Sequence, residues 1–320
     1  MAAPFVIADA HQDVAWACLK DGRDFATPTP DKALTLPAWQ AGGVRLACTT
    51  LFSADQGDAI KARAHAMKQC EFYDRLVAAN PGAIARATRQ RDLDDLAAPG
   101  PVRMVHLMEG ADAIDGADEL PEWKARGVVA VGPVWNTANR YGGGNDSSRG
   151  LTPDGFALVR MCGMERIAVD LSHLNPTAFD EALDAAMGPV YASHSNARAL
   201  CRHRRNLTDE QLKKVGAAGG VVGVVFYAAF LQDDAAGPSS IEMVCRHLTH
   251  IGRLIGFERV CLGTDLDGGF DHTRGVEGIP TCAELPVLAD ALRERRFTDD
   301  TIAGILGDNL RRFVRDLLPE

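Results

Sequence analysis

Residues 5–16 read FVIADAHQDVAW. A short apolar run, Phe5 to Ala8, stops at the polar residues Asp9, His11 and Asp13. On an extended backbone, residues two apart point to the same side. His11 and Asp13 can therefore reach one object together. Taken alone, the stretch also reads as ordinary polarity at a strand end in a surface loop. The rest of the chain decides between the two.

It does so by repetition. After Phe5–Ala10, runs rich in β-branched and apolar residues recur at Val44–Phe52, Val102–Met108, Val128–Trp135 and Ile167–Leu171. Three more follow at Val190–Ser193, Val221–Tyr227 and Val260–Gly263. Near-continuous apolar runs fit parallel strands covered on both faces. The segments between them are helical in pattern. Ala59–Asn80 carries apolar residues at 3.6 spacing, and Pro81-Gly82 stops it. Thr208 is an N-cap for a helix over Asp209–Ala218, Ile241–Ile255 is amphipathic, and Thr298–Leu318 reads as two helices. Strand and helix alternating eight times predict a single (β/α)8 TIM-type barrel rather than a doubly wound sheet. No repeat, low-complexity tract or linker interrupts the chain, so residues 1–320 are expected to be one catalytic domain. Tyr141–Gly150 and Gly268–Ala283 read as loops at one mouth of the barrel. The glycines at 142–144 lack the Gly-Lys-Ser/Thr of a phosphate loop, and are expected to give a mobile lid.

Bulk properties narrow the function. The net charge of −9 argues against a non-specific nucleic-acid binder and favours a small-molecule or peptide partner. Acidic composition also suits a protein that holds divalent cations. No run of eighteen apolar residues occurs, so no membrane span is expected. The N-terminus lacks the basic and apolar regions of a signal peptide. The eight cysteines form no CxxC pair and sit in apolar neighbourhoods, as buried free thiols would. Together these predict a cytoplasmic protein with reduced cysteines.

In a barrel of this kind, active groups sit at the C-terminal ends of the strands. Those ends carry His11 and Asp13, Glu109, His173, His194 and Asp265, with Phe226-Tyr227 at another. Each alone is weak. Polar residues placed at random would not choose the same end of five strands, so the set reads as a metal site. Imidazole and carboxylate suit Zn²⁺ and its neighbours. Five ligands are too many for one tetrahedral catalytic ion but about right for two ions sharing a bridge. Two ions roughly 3.5 Å apart hold one water between them and bring its pKa towards neutrality. A carboxylate must bridge, because it offers two oxygens, and Glu109 stands alone at its strand end.

Six motifs in this order sharpen the reading: HxD at 11–13, MEG at 108–110, DLSH at 170–173, SHSNARAL at 193–200, RRNLTDEQL at 204–212 and GTDLDG at 263–268. The sequence resembles the membrane (renal-type) dipeptidase family, zinc peptidases among the amidohydrolase-like barrels. The likeness runs from residue 5 to ILGDNLRRF ending at 313. It implies two zinc ions per chain, bridged by Glu109 and a hydroxide. His11 and Asp13 would bind one, and His173 and His194 the other. Arg205 would hold the substrate's terminal carboxylate, and Asp265 would handle the proton. A homodimer is a further expectation, since the membrane-anchored members are dimers.

One departure touches the substrate. Best-known members carry a histidine after strand four that helps hold the reacting carbonyl oxygen. Here residues 131–144 read VGPVWNTANRYGGG, with no histidine between His106 and His173. Trp135 or Asn136 stands there instead, and an indole N–H is a donor. Tyr227 is a further candidate for the substrate pocket. His65, His106, His203, His247, His250 and His272 lack strand-end partners and read as structural, and Arg202 and Arg204 as solvated surface. The expected activity is hydrolysis of dipeptides, L,L and L,D. Another small amide, such as an N-acyl amino acid, is the alternative within hydrolases. A non-catalytic metal-binding barrel is the alternative outside them.

Overall fold

A computed structural model of the chain describes residues 5–53 and 57–320. Nine parallel strands form its sheet: β1 (Ile7–Gln12), β2 (Val44–Phe52), β3 (Ile84–Arg86), β4 (Val102–Glu109), β5 (Val128–Gly132), β6 (Ala168–Asp170), β7 (Val190–Ala192), β8 (Val221–Val224) and β9 (Val260–Leu262). Their order is β2-β1-β9-β8-β7-β6-β5-β4-β3, and β2 pairs with β4 as well. That last pairing closes eight strands into a barrel, as the eight apolar runs predict.

The ninth strand is an addition. β3 pairs with the first half of one edge of β4, from Val102 to Met104, and β5 takes the same edge from His106 to Glu109. The sequence reading misses β3 because Ile-Ala-Arg carries no strand pattern. Several expected runs stop early. The run from Val128 ends at Gly132, where Pro133 offers no N–H to the ladder. The run from Val221 ends at Val224, and Tyr227 opens a short helix, Ala228–Leu231. β1 extends two residues past its expected end, so His11 lies inside the strand.

Inward-facing side chains of the barrel are mostly small or medium: Ala8, Ala10, Cys48, Leu107, Ala130, Ala168 and Cys261. The C-terminal helix Asn309–Leu317 closes the bottom by adding Leu310, Val314 and Leu317 to this cluster. Asn309 fixes it there, donating to the carbonyls of Phe257 and Val260. The outer core lies between strands and helices, around Trp39, Tyr73, Trp123 and Phe179. Each such fully buried side chain is worth roughly 1.5–3 kcal/mol. The helix Ala59–Ala79 starts at Asp58, whose side chain accepts from the Lys61 N–H, and stops before Pro81. Asp209–Ala217 opens with a Thr208/Gln211 capping box. The expected pair of C-terminal helices is Asp299–Ala303 and Asn309–Leu317, joined by a π-turn at Gly304–Asp308. All eight cysteines are buried and unpaired. No helix among the described residues is long and apolar enough to cross a membrane.

Candidate metal centre

Strand direction places the chemistry. β1 carries Asp9 and His11, its register against β2 shifts between Asp9 and Gln12, and Asp13 follows at its exit as the cap of the next helix. Asp9 lies deepest, accepting from the His11 N–H, the Gln12 amide, and the Thr264 N–H and hydroxyl. It thereby ties the end of β1 to the end of β9. Asp13 takes the Thr50 hydroxyl, and the Asp265 N–H donates to the His11 carbonyl at 3.1 Å. Asp265 has φ +59°, a left-handed conformation that Asp tolerates better than most side chains.

Glu109, the last residue of β4, is the centre. Its Oε1 lies 2.9 Å from His173 Nε2 and 3.5 Å from both His11 Nε2 and His194 Nε2. Asp265 Oδ1 is 3.8 Å from His11 Nε2. Donor atoms of Glu109, His173 and His194 fall within 4.8 Å of one another, and so do those of His11, Asp13 and Asp265. The structure thus brings together all five residues expected to bind metal, and Asp265 with them. His11, Asp170 and His194 form a third such group. In it, Asp170 already accepts from the Ser172 and Ser193 N–H groups and hydroxyls.

Electrostatics fit a cation site. Burial pushes the Asp13 carboxyl up to about 6, with Glu109 adding repulsion. Burial likewise holds Asp265 well above the usual carboxylate range, against the pull of His11. Burial opposes charge on His11, but Glu109 and its neighbouring acids outweigh it and push the imidazole up to about 10. Burial, then the Arg205 guanidinium, pushes His173 down to about 3. Three acids packed against three imidazoles in a protected cavity are costly without positive charge to share. His11 Nε2 is buried with no hydrogen-bond partner, and the Nε2 atoms of His173 and His194 face each other at 3.0 Å. Converging lone pairs on imidazole and carboxylate suit zinc-like divalent ions, so the residues fit a pair of such ions.

Around the centre is a cavity of about 490 Å³. Trp135 lies on one wall with Phe52 and Trp16, the ring pairs meeting edge-on at 5.1 and 5.8 Å. Asn136 Oδ1 is 3.0 Å from His173 Nδ1. Tyr227 also lines the cavity, with Phe230 and Phe270 each 4.9 Å from its ring. Arg205 is buried, with Nη2 2.6 Å from His194 Nε2 and 3.1 Å from His173 Nε2, and Nη1 on the Ser172 carbonyl. His203 also lines the cavity, its ring packed 4.4 Å from that of Phe230. Arg204 lines the same cavity and pairs with Asp146. No pattern in the sequence marks Trp16, Phe52 or Phe230 as lining the cavity.

Comparison with known proteins agrees with this geometry. The pattern of the family described as Membrane dipeptidase (Peptidase family M19) matches residues 1–317. An uncharacterised protein of Klebsiella pneumoniae, from the pqqA 5′ region, is 32% identical over 78% of this chain and 95% of its own length. The dipeptidase tcpJ of Claviceps purpurea is 32% identical over 52% of this chain, but the match spans only 39% of that protein. A metallopeptidase from Rhodobacter sphaeroides, crystallised with a phosphinate mimic of the dipeptide L-Ala-D-Ala, superposes with a TM-score of 0.89. It is 27% identical, over 97% of this chain and 99% of that one. The chain belongs to the membrane dipeptidase family.

Proposed function

We propose that the chain is a two-zinc dipeptidase that hydrolyses the amide bond of L,L- and L,D-dipeptides. The observation that carries this reading is the single oxygen, Glu109 Oε1, met by three imidazole nitrogens at 2.9–3.5 Å. His11 and Asp13 would hold one ion and His173 and His194 the other, with Glu109 shared. Two such ions would supply Lewis acidity for the scissile carbonyl and would lower the pKa of the attacking water. Asp265, beside His11, accepts the proton released as water adds to the carbonyl carbon. It then delivers that proton to the leaving amine. Arg205, beside His173 and His194, supplies positive charge for the substrate's free carboxylate. Trp135 offers its indole N–H toward the carbonyl oxygen, Asn136 steadies His173, and Tyr227 shapes the pocket.

The cavity's size supports a dipeptide rather than a long chain. The dipeptide mimic held by the Rhodobacter protein supports the same substrate class, a D-residue at the C-terminal position included. The apolar wall of Trp16, Phe52 and Trp135 favours one second reading, an N-acyl amino acid. A panel of L,L- and L,D-dipeptides beside N-acyl amino acids separates them. Faster turnover of the dipeptides supports the proposal, and turnover confined to the N-acyl compounds overturns it.

A further inference from the structure

Metal ligation by imidazole needs a defined tautomer, because only the unprotonated nitrogen carries a lone pair. In this site one hydroxyl sits where two tautomers are decided. Ser193 Oγ lies 2.5 Å from Asp170 Oδ2, 2.7 Å from His194 Nδ1 and 3.2 Å from His11 Nδ1. The two rings lie side by side, with centroids 3.8 Å apart. A hydroxyl has one proton and two lone pairs. The Asp170 carboxylate can only accept, so it takes the proton. Ser193 can then only accept from the two imidazoles. Both rings must carry hydrogen on Nδ1, so that in their neutral, metal-binding form it is the Nε2 lone pairs that face Glu109. His173 is set separately, by Asn136 Oδ1 at 3.0 Å.

We infer that Ser193, held by Asp170, is a positioning residue that fixes one imidazole in each half of the two-metal site at once. This rests on the two-metal reading above. A single side chain thereby couples the two halves. Were the Ser193 hydroxyl turned toward either ring, that ring would carry its hydrogen on Nε2 and could not ligate. Asp170 prevents the turn. Its other oxygen is held by the Ser172 hydroxyl at 2.7 Å and by the Ser172 and Ser193 N–H groups, so the carboxylate cannot swing away.

The test uses zinc as the probe on the full chain, with metal affinity and imidazole proton spectra as readouts. Loss of a group that orients a metal ligand weakens metal binding about 10- to 100-fold. Ser193→Ala is expected to weaken both zinc equivalents by that factor, whereas Asn136→Ala weakens only one. In the zinc-loaded protein, histidine-labelled ¹⁵N spectra of wild type are expected to give His11 and His194 as Nδ1–H tautomers. An Nε2–H form of either ring in wild type overturns the inference without any variant. So does wild-type zinc affinity in Ser193→Ala, or weakening of one equivalent alone. A wild type that binds two equivalents beside an unaffected Ser193→Ala leaves the two-metal reading standing and removes only the role of Ser193. A wild type that binds no zinc overturns both.

Discussion

Glu109 has three imidazoles against one of its oxygens, and its neighbours divide the remaining work between them. Asp265 lies 3.8 Å from His11, yet its side chain is 14% exposed while that of His11 is fully buried. That exposure is what a proton carrier needs. Asp265→Asn is expected to retain both zinc equivalents and to lose about 10²- to 10⁴-fold in kcat/KM. Metal analysis alongside steady-state kinetics checks this. Full activity removes Asp265 from proton transfer, and loss of one equivalent makes it a ligand. Arg205→Ala is expected to raise KM with kcat little changed, as for an interaction made equally in ground and transition states. An unchanged KM removes Arg205 from the substrate's carboxylate. At this scale the sequence was legible where parity and strand ends speak: His11 with Asp13, Glu109, His173 and His194. It was silent on Ser193 and Thr50, because a hydroxyl that orients a ligand looks like any other until the fold brings it near.

The elements hold these residues by close backbone packing, most visibly in the loop after β5. The glycines at 142–144 suggested a mobile lid, but the structure gives them another task. A Cβ on Gly144 would fall 1.9 Å from the Trp135 carbonyl oxygen, and one on Gly143 would fall 2.1 Å from that of Arg149. The loop is tied down further by the Asn145 amide on the His173 carbonyl and by the Asn175 amide on Gly143 and Arg149. The glycines let this loop press against Trp135 and Asn136 at its own start and against the segment after β6 that carries His173. Gly144→Ala should therefore cost about 3 kcal/mol of stability through overpacking. Urea unfolding measures it, and a loss below about 0.5 kcal/mol would mean that the loop yields freely. Composition alone cannot separate a glycine needed for freedom from one needed for contact. The helices and strands were easier, since periodicity and caps such as Thr208 are local signals. β3 was not, because a three-residue strand is defined by its partner rather than by its own residues.

The whole molecule is a closed barrel whose interior is sealed at the bottom by its own C-terminal helix. Eight apolar runs made that architecture readable, and motifs from residue 11 to 313 made the family readable. Burial also stores an acid sensitivity away from the metal centre. His247 accepts from the Ala197 N–H and donates to the Leu231 carbonyl, and burial pushes it down to about 4. Burial likewise pushes His106 down to about 3. Above pH about 6.5 both states hold these rings neutral, and no pH dependence arises from them. Below it the unfolded chain takes up protons that the folded chain refuses, so stability falls with pH. For His247 the loss levels off near pH 4, after about 3 kcal/mol. Unfolding free energies from pH 7 to 4 should flatten in His247→Gln by that amount. An unchanged slope would mean that His247 is protonated in the fold.

The central claim is that two metal ions shared by Glu109 make this chain a dipeptidase. Metal content and dipeptide turnover, measured on one preparation before and after chelation, test it most directly. The account predicts two zinc equivalents per chain, turnover lost on chelation, and both restored by added zinc. One equivalent or fewer in the active protein, or turnover indifferent to chelation, would contradict it.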